Sequence, residues 1–451
     1  MRSHSLQLQQ TLRVMALLLA LFAISASPVI PILHTASAMP NFARKYGLGC
    51  GSCHDVIPKL NEFGWKFRAA GYRMPDEIGQ KQASYNIGDY FAGRLNFAVN
   101  QSSATAAASG SPSVSNMNMA FTGGSIYAIF GALTPNISSE SELGFSTNGS
   151  LEVSTASVGY YTGTEDSWFS ARIGKLNTFM GYGGSDRGWS GSPKMNSGYA
   201  ISLYNYQNGG VKPTYTGLTG SNMGIDLGYV FGEATVHAEV LSGYTYAGGK
   251  PSAAVAGKPT GVGAGQAPSA NSFDYMFWAN YILTEDGGGI SAAYYLGNAD
   301  INTGSASTNV DSEFWQNKFS RYAIYASYPI PVAKVLLEGG YEHGSDNSWA
   351  LKTFSYGPDI SSSGWFGEAD YPVTDLIGVG ARYDAVTPDN SNASIDNINV
   401  ITGYVDYNFG DGFSLTASYA ATSTKTPTSN GESLLGTAQN NAFALRVSWF
   451  Q

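Results

Sequence analysis

Ile225-Asp226-Leu227-Gly228-Tyr229-Val230-Phe231-Gly232-Glu233-Ala234-Thr235-Val236-His237-Ala238-Glu239-Val240 is the stretch that decides the fold of this 451-residue chain. Ile225, Leu227 and Tyr229 alternate with Asp226; Ala234, Val236, Ala238 and Val240 alternate with Thr235, His237 and Glu239. A period of two sends apolar side chains to one face of a strand and polar ones to the other, and Phe231–Glu233 is short enough for a hairpin turn. The alternation recurs in both directions. Phe91, Leu95, Phe97 and Val99 alternate with Arg94 and Asn96; Val335, Leu337 and Tyr341 with Glu338 and Glu342; Phe413, Leu415, Ala417 and Tyr419 with Ser414, Thr416 and Ser418.

Turn lengths sharpen the reading. Tight connections fall at Leu133–Asn136, Gly163–Asp166, Phe231–Glu233, Thr284–Gly288, Tyr328–Val332 and Phe409–Gly412. Longer polar stretches lie near residues 177–221, 246–272, 298–313, 386–395 and 423–439, the 246–272 stretch being low-complexity and read as a flexible loop. Short turns at one end and long loops at the other predict an all-β transmembrane antiparallel barrel of the outer membrane, with about sixteen strands and both barrel ends on the periplasmic side. Residues 198–206 are read as loop and 349–373 as one poorly defined strand. The closing segment alternates Phe443, Leu445, Val447 and Trp449 with Ala444, Arg446 and Ser448, an amphipathic, aromatic-ended last strand. A soluble sandwich would need a second sheet over every apolar face.

Composition agrees. Charged residues make up only 13% of the chain, against 55 glycines, 29 tyrosines and 22 phenylalanines. That balance is foreign to ordinary soluble domains, yet no apolar run beyond residue 38 approaches the ~20 residues of a membrane helix. A barrel reconciles the two, because lipid-facing and lumen-facing residues alternate.

Residues 1–38 read as a secretory signal: Arg2 and Arg13, an apolar core from Val14 to Ile24, then Ala36-Ser37-Ala38 as a small-residue cleavage site. Its apolar core is short for a bilayer span and is followed by Ser25, Ser27, Pro28 and Pro31. Removing it turns the net charge of −9 into −11. Residues 39–82 hold seven basic and four acidic residues, so a basic head precedes an acidic body. The two parts are expected to attract one another, and an acidic body offers no nucleic-acid footprint.

The head carries the chain's two cysteines, in Cys50-Gly51-Ser52-Cys53-His54. A c-type haem needs this pattern, because two thiols add to the vinyl groups on one edge of the porphyrin and the adjacent histidine coordinates iron. A thioredoxin-like pair would want a βαβ context, and a zinc site a second Cys or His pair nearby; neither is present. Around the motif, Val56, Leu60, Phe63 and Phe67 recur at helical spacing after Pro58, with a stop near Gly71 and Pro75 beyond it. A segment of this size cannot bury a haem alone, so the barrel lumen is expected to supply the remaining cover. For the sixth iron ligand, Met74 and His237 stay open, with Met117, Met119 and His343 as weaker candidates.

Met39-Pro40-Asn41-Phe42-Ala43-Arg44-Lys45-Tyr46-Gly47, followed by the haem motif, Pro58-Lys59-Leu60-Asn61-Glu62-Phe63-Gly64 and Phe67-Arg68-Ala69-Ala70-Gly71-Tyr72, resembles the N-terminal signature of the fused monohaem cytochrome–porins of the bacterial outer membrane. The resemblance implies three parts: signal peptide 1–38, monohaem segment 39–85 and porin-like barrel 86–451. It implies one covalent haem c on Cys50 and Cys53, with His54 as proximal ligand, and one-electron Fe(II) oxidation of the iron-oxidase type. The partners it implies are outer-membrane lipid, an extracellular donor such as Fe(II), and a periplasmic c-type cytochrome. From the residues themselves, lumen-side Glu140, Glu142, Asp226, Glu239, Glu338 and Glu342 would guide a cation or line a hydrated pore. Lumen-side Arg94, Arg172, Arg321 and Arg382 would suit an anion-selective lining. Electron export, a porin with a haem-bearing plug and a peroxidase-like role are the competing readings.

Overall fold

The computed structural model describes residues 40–56, 59–80, 86–105, 114–146, 149–177, 179–181, 221–242, 273–302, 314–347, 350–352, 355–356, 360–374, 376–389, 398–410, 412–425 and 437–450. The expected signal peptide, the 81–85 end of the haem segment, the 198–206 stretch and the 246–272 loop lie outside the described residues.

Sixteen antiparallel strands close into one barrel. They are β1 (Phe91–Thr105), β2 (Val114–Ala128), β3 (Ile137–Phe145), β4 (Leu151–Thr164), β5 (Ser167–Asn177), β6 (Ser221–Phe231), β7 (Ala234–Ser242), β8 (Phe273–Ile282), β9 (Gly289–Asn302), β10 (Phe314–Ile330), β11 (Val335–Asn347), β12 (Ile360–Pro372), β13 (Ile377–Asp389), β14 (Ile398–Gly410), β15 (Phe413–Lys425) and β16 (Thr437–Phe450). Each pairs with its sequence neighbours, and β16 pairs with β1 from Gln439↔Thr105 to Phe450↔Arg94, so no edge is left open. The deciding stretch forms β6 and β7, with Ala234 opposite Phe231 across the Gly232-Glu233 turn. The expected architecture and turn pattern therefore hold. Several strands run a few residues beyond the expected loop boundaries, β9 to Asn302 and β13 to Asp389. The 349–373 stretch divides into β12 and a separate two-stranded pair, Ala350–Lys352 with Ser355–Tyr356.

The exterior explains why such a chain needs lipid. Ile225, Leu227, Tyr229, Val236, Val240, Tyr275, Phe277 and Tyr281 all point outward and are exposed. Neighbouring strands put these residues side by side, and a bilayer is the solvent that suits so continuous an apolar belt. The barrel is thus a protein of the bacterial outer membrane, with short turns at its periplasmic end and long loops at the other.

The interior departs from an ordinary hydrated pore. Leu241 and Met276 are fully buried on the inner face, beside Trp278, Ile282, Tyr295, Tyr325 and Phe366. Phe179 and Met180, just beyond β5, join this cluster, as does Trp65 of the head.

The head contains helix α1 (Pro40–Tyr46), helix α2 (Glu62–Ala69) and a small hairpin, His54–Val56 with Lys59–Leu60. Here the sequence expectation is corrected: Val56 and Leu60 lie in the hairpin, and only Phe63 and Phe67 of the four spaced residues are helical. The reason is Asn61, whose side chain accepts from the Gly64 N–H at 2.9 Å and so starts the helix four residues late. The helix ends where Gly71 and Tyr72 take φ values of 73° and 60°. A Cβ on Gly71 would lie 2.6 Å from both Ser138 Oγ and the Tyr161 ring, so glycine is needed for conformation and for close approach to the barrel wall.

Candidate functional site

The head sits inside the turn end of the barrel, and its basic side chains make the seat. Lys59 reaches the inner wall, where its ammonium meets Glu338 at 2.5 Å, Glu368 at 2.9 Å and Asp370. Only 5% of Lys59 is exposed, so these ion pairs are almost fully desolvated. Arg382 pairs with Glu368 at 3.0 Å and with Asp384 at 2.7 Å, which continues the network along the wall. Arg73, wholly buried, donates to the carbonyl oxygens of Thr134 (3.2 Å) and Pro135 and to Ser138 Oγ. Lys66 bridges Glu62 at 2.6 Å and Glu233 of the β6–β7 turn at 2.9 Å. The β2–β3 and β8–β9 turns add backbone bonds: Gly79 N to Pro135 O at 2.9 Å, and Glu62 N to Glu285 O at 3.3 Å. Trp168 Nε1 donates to Ala69 O at 3.2 Å. The attraction expected between basic head and acidic barrel takes this concrete form.

The Cys50–His54 motif is held from behind by the start of α2. Cys50–Ser52 form one 3₁₀ turn, and Asn61 fastens it twice: its Nδ2 donates to Ser52 O at 3.1 Å and its backbone N to Cys53 O at 3.0 Å. Gly64 lets the helix lie against this turn; a Cβ there would fall 2.3 Å from Cys53 O and 2.9 Å from Leu60 Cδ2. Cys53 is a free, half-buried thiol, and burial pushes its pKa up. The Cys50 side chain lies outside the described residues. His54 opens the hairpin opposite Leu60 and is half-buried.

Met74 precedes the turn Pro75–Glu77 and packs, half-buried, against an aromatic cluster of Phe42, Phe67, Tyr127 and Phe130, together with Tyr46, Phe63 and Tyr72. Phe42 stacks on Tyr72 at 5.2 Å and Phe63 on Phe67 at 6.0 Å. His237 faces the lumen, as its parity implied. Its Nδ1 lies 2.8 Å from Asp226 and its ring stacks on Trp278 at 3.8 Å. Met117 and Met119 point out of the barrel, and the His343 ring lies 5.1 Å from that of Tyr322, tilted by 30°.

The lumen carboxylates and arginines stand where alternation put them, but as partners of one another and of the head. Glu140 accepts from Asn177 at 2.8 Å; Glu142 pairs with Arg94 at 3.3 Å; Asp226 pairs with Arg172 at 2.8 Å. Glu239 accepts from Trp278 Nε1 at 2.8 Å, and Glu342 from the Tyr325 hydroxyl. Arg321 donates to the backbone oxygens of Ser320 and Ser345. Such pairing offsets the cost of taking polar groups out of water.

Sequence reasoning missed Lys59, Arg73 and the aromatic half of the lumen. One signal was available: Tyr275-Met276-Phe277-Trp278 is apolar at both parities, the mark of a strand covered on both faces. Between α2 and the wall, Trp65, Arg68, Met180, His237 and Trp278 border a cavity of about 40 Å³, room for a few water molecules.

Barrels of known structure share this fold. The anion-selective porin from Comamonas acidovorans aligns at 12% identity over 80% of this chain and 98% of its own, with a TM-score of 0.50. The outer-membrane channel DcaP of Acinetobacter baumannii (12% identity, 80% and 96% covered, TM-score 0.49) and the outer-membrane protein OmpT of Vibrio cholerae (14%, 80% and 98%, 0.48) are also similar. No protein-family model and no curated protein matches the chain.

Proposed function

We propose that this outer-membrane barrel is an electron conduit. One c-type haem would be held by Cys50 and Cys53, with His54 and Met74 offering donor atoms to its iron, and would supply a one-electron couple between an extracellular donor, Fe(II) by preference, and a periplasmic c-type cytochrome. The observation that carries the reading is the seat of the head: the small domain that bears a Cys-x-x-Cys-His turn is packed, through Trp65 and Leu60, against an apolar, aromatic stretch of the barrel's inner wall. A solute channel gains nothing from that filling, whereas a haem needs the exclusion of water it provides.

The donor set fits the group. Asn61 and Gly64 hold the turn that carries the two cysteines against the start of α2. Met74 offers a thioether on the head itself, while His237 is engaged by Asp226 and stacked on Trp278 across the wall. When bound, the haem supplies a reversible one-electron couple, and histidine–methionine ligation raises its potential. The chain's own residues do the rest: they fix the motif, exclude water and close the lumen to solutes.

A spectroscopic redox titration of the purified, haem-loaded protein tests this, with Met74→Ala and His237→Ala in parallel. Fe(II) should reduce the haem, and Met74→Ala should lower the potential and change the ligand band while His237→Ala leaves both in place. Reduction by dithionite but not by Fe(II) would remove the iron donor. Solute entry into proteoliposomes carrying the intact protein would favour a porin with a haem-bearing plug.

A further inference from the structure

Among the described residues, the cavity between α2 and the barrel wall is lined by cations and by no carboxylate. Lys66 and Arg68 reach it from α2 and Arg172 from β5, together with His237 on β7. The carboxylates that meet these groups stand outside its lining. Asp226 lies 2.8 Å from Arg172 Nε and 2.8 Å from His237 Nδ1, while Glu62 and Glu233 hold Lys66. Glu140, 3.9 Å from Arg172 Nη1, borders a second space of about 10 Å³, which Arg68 and Arg172 also line. The larger cavity reaches the turn end at Gly232 and at Lys66, whose side chain keeps 26% of its surface in solvent. A small solute therefore has an approach from the periplasmic side.

Two of the cations keep binding capacity. Arg172 is only 7% exposed; its Nε is taken by Asp226 and its Nη1 by Met180 Sδ at 3.2 Å. Its buried Nη2 meets no hydrogen-bond acceptor among the described residues. Arg68 donates to Met180 O and lies 4.5 Å over the Trp65 ring, and among the described residues it pairs with no carboxylate. A buried charged donor without an acceptor is costly. A water molecule would answer the hydrogen bond but not the charge. Guanidinium N–H groups lie in one plane, which matches the planar oxygens of a carboxylate or nitrate better than a spherical ion. Trp65 and Trp278 wall the space with flat rings, and its volume of about 40 Å³ admits only a few non-hydrogen atoms.

We infer that this cavity is a binding site for a small planar monoanion of the carboxylate or nitrate type, entered from the periplasmic end. Arg172 Nη2 and the Arg68 guanidinium donate to its oxygens, Lys66 draws it in at the rim, and His237, held by Asp226 and stacked on Trp278, forms part of the wall. One of the two arginines comes from the head and the other from the barrel, so a bound anion also ties α2 to the wall. The site does not depend on the conduit reading.

Saturation-transfer NMR on the full chain in detergent micelles tests the site, with sodium formate as probe and sodium chloride holding the ionic strength constant. Formate should bind saturably against this chloride background, and sodium nitrate put in place of chloride should displace it. The tighter of the two names the oxyanion class. Arg172→Lys keeps a cation for Asp226 but removes Nη2, and it should weaken formate binding about tenfold. Arg68→Gln, at a half-buried position that holds no carboxylate, should weaken it by a similar factor. Ser418→Ala, on β15, should bind formate as the parent does. Circular dichroism and heat-dependent gel mobility check that each variant keeps the closed barrel. Three results would each overturn the site: no saturable formate signal in the parent, no displacement as nitrate replaces chloride, or unchanged formate binding in both arginine variants.

Discussion

The two sides of the lumen wall are built from different residues. From β7 to β12 the inward positions carry Leu241, Met276, Trp278, Tyr295, Tyr325 and Phe366, which bury one another. On β15, β16 and β1 they carry Thr416, Ser418, Arg446, Ser448 and Asn96, tied by side-chain bonds such as Ser448 to Asn96 at 2.9 Å and Thr416 to Asp406 at 2.5 Å. The backbone is the same closed sheet on both sides. Whether a stretch of wall holds water or holds the head is therefore decided by inward side chains alone. Leu60, Trp65 and Lys59 all lodge against the aromatic side. That side works as half of a protein core; the other is lined by polar side chains bonded to one another.

The largest expected break in this division is at Lys59. Replacing it with methionine keeps the volume but takes from Glu338 and Asp370 the ammonium they share, leaving Arg382 on Glu368 as the cation in the cluster. Removing one partner from a buried ion pair costs about 3–5 kcal/mol, comparable with what holds a small segment in place. Lys59→Met should release the head, which limited proteolysis would report as new cleavage within residues 40–80. Planar-bilayer recording should show conductance that the parent protein lacks. An intact, non-conducting Lys59→Met protein would mean that apolar packing alone seats the head.

The next effect separates the two walls directly. Leu241 is fully buried on the aromatic side, so Leu241→Ala opens a cavity and should cost about 2–5 kcal/mol. Ser418→Ala, on the polar side, removes only a 3.4 Å bond to Ala444 O and should stay within about 0.5 kcal/mol. Denaturant unfolding of both variants checks the pair. Equal costs would erase the distinction between core and lining.

These walls were unequally legible in the sequence. Period-two alternation announced the strands, the closing β16 and the inward parity of Asp226, His237, Glu239 and Arg172, because a membrane barrel obliges every strand to show lipid one face. Alternation says which way a side chain points, not what it meets. Glu338 and Lys59 lie 279 positions apart, and no local pattern links them. The motif at Cys50–His54 was legible because its chemistry is local. The hairpin that takes Val56 and Leu60 was not, because the choice between helix and strand there turns on one Asn61 cap. The aromatic wall lay half in view: Met276 and Trp278 break the alternation of β8, yet only the folded barrel brings them to Trp65.

A smaller effect tests the hold on the motif itself. Gly64→Ala would place a methyl 2.3 Å from the Cys53 carbonyl, against backbone that cannot yield as a side-chain tip can. Overpacking of this kind costs about 1–3 kcal/mol. The head should stay seated by Lys59 and Arg73, while the Cys50–His54 turn shifts and covalent haem content per barrel falls. Full haem content would show that the turn is not fixed by α2.

The smallest effect belongs to Lys66, at the rim where head meets turn. Burial alone would lower its pKa, but bonds to Glu62 and Glu233 outweigh it and hold the pKa above the ordinary lysine value. A folded-state pKa above the unfolded one stabilises the protein at pH values below the unfolded pKa. The stabilisation drains away as pH rises through the folded pKa. The window is therefore alkaline, above about 10.4, and acid to neutral titration should not touch it. Lys66 and Glu233 keep 26% and 41% of their side-chain surface in solvent, so screening limits the bridge to about 1 kcal/mol or less. Lys66→Gln should make the head slightly easier to cleave at neutral pH, and the difference from the parent should close in strong alkali or high salt. A difference that persists there would mean that Lys66 acts through packing of its stem and not through charge.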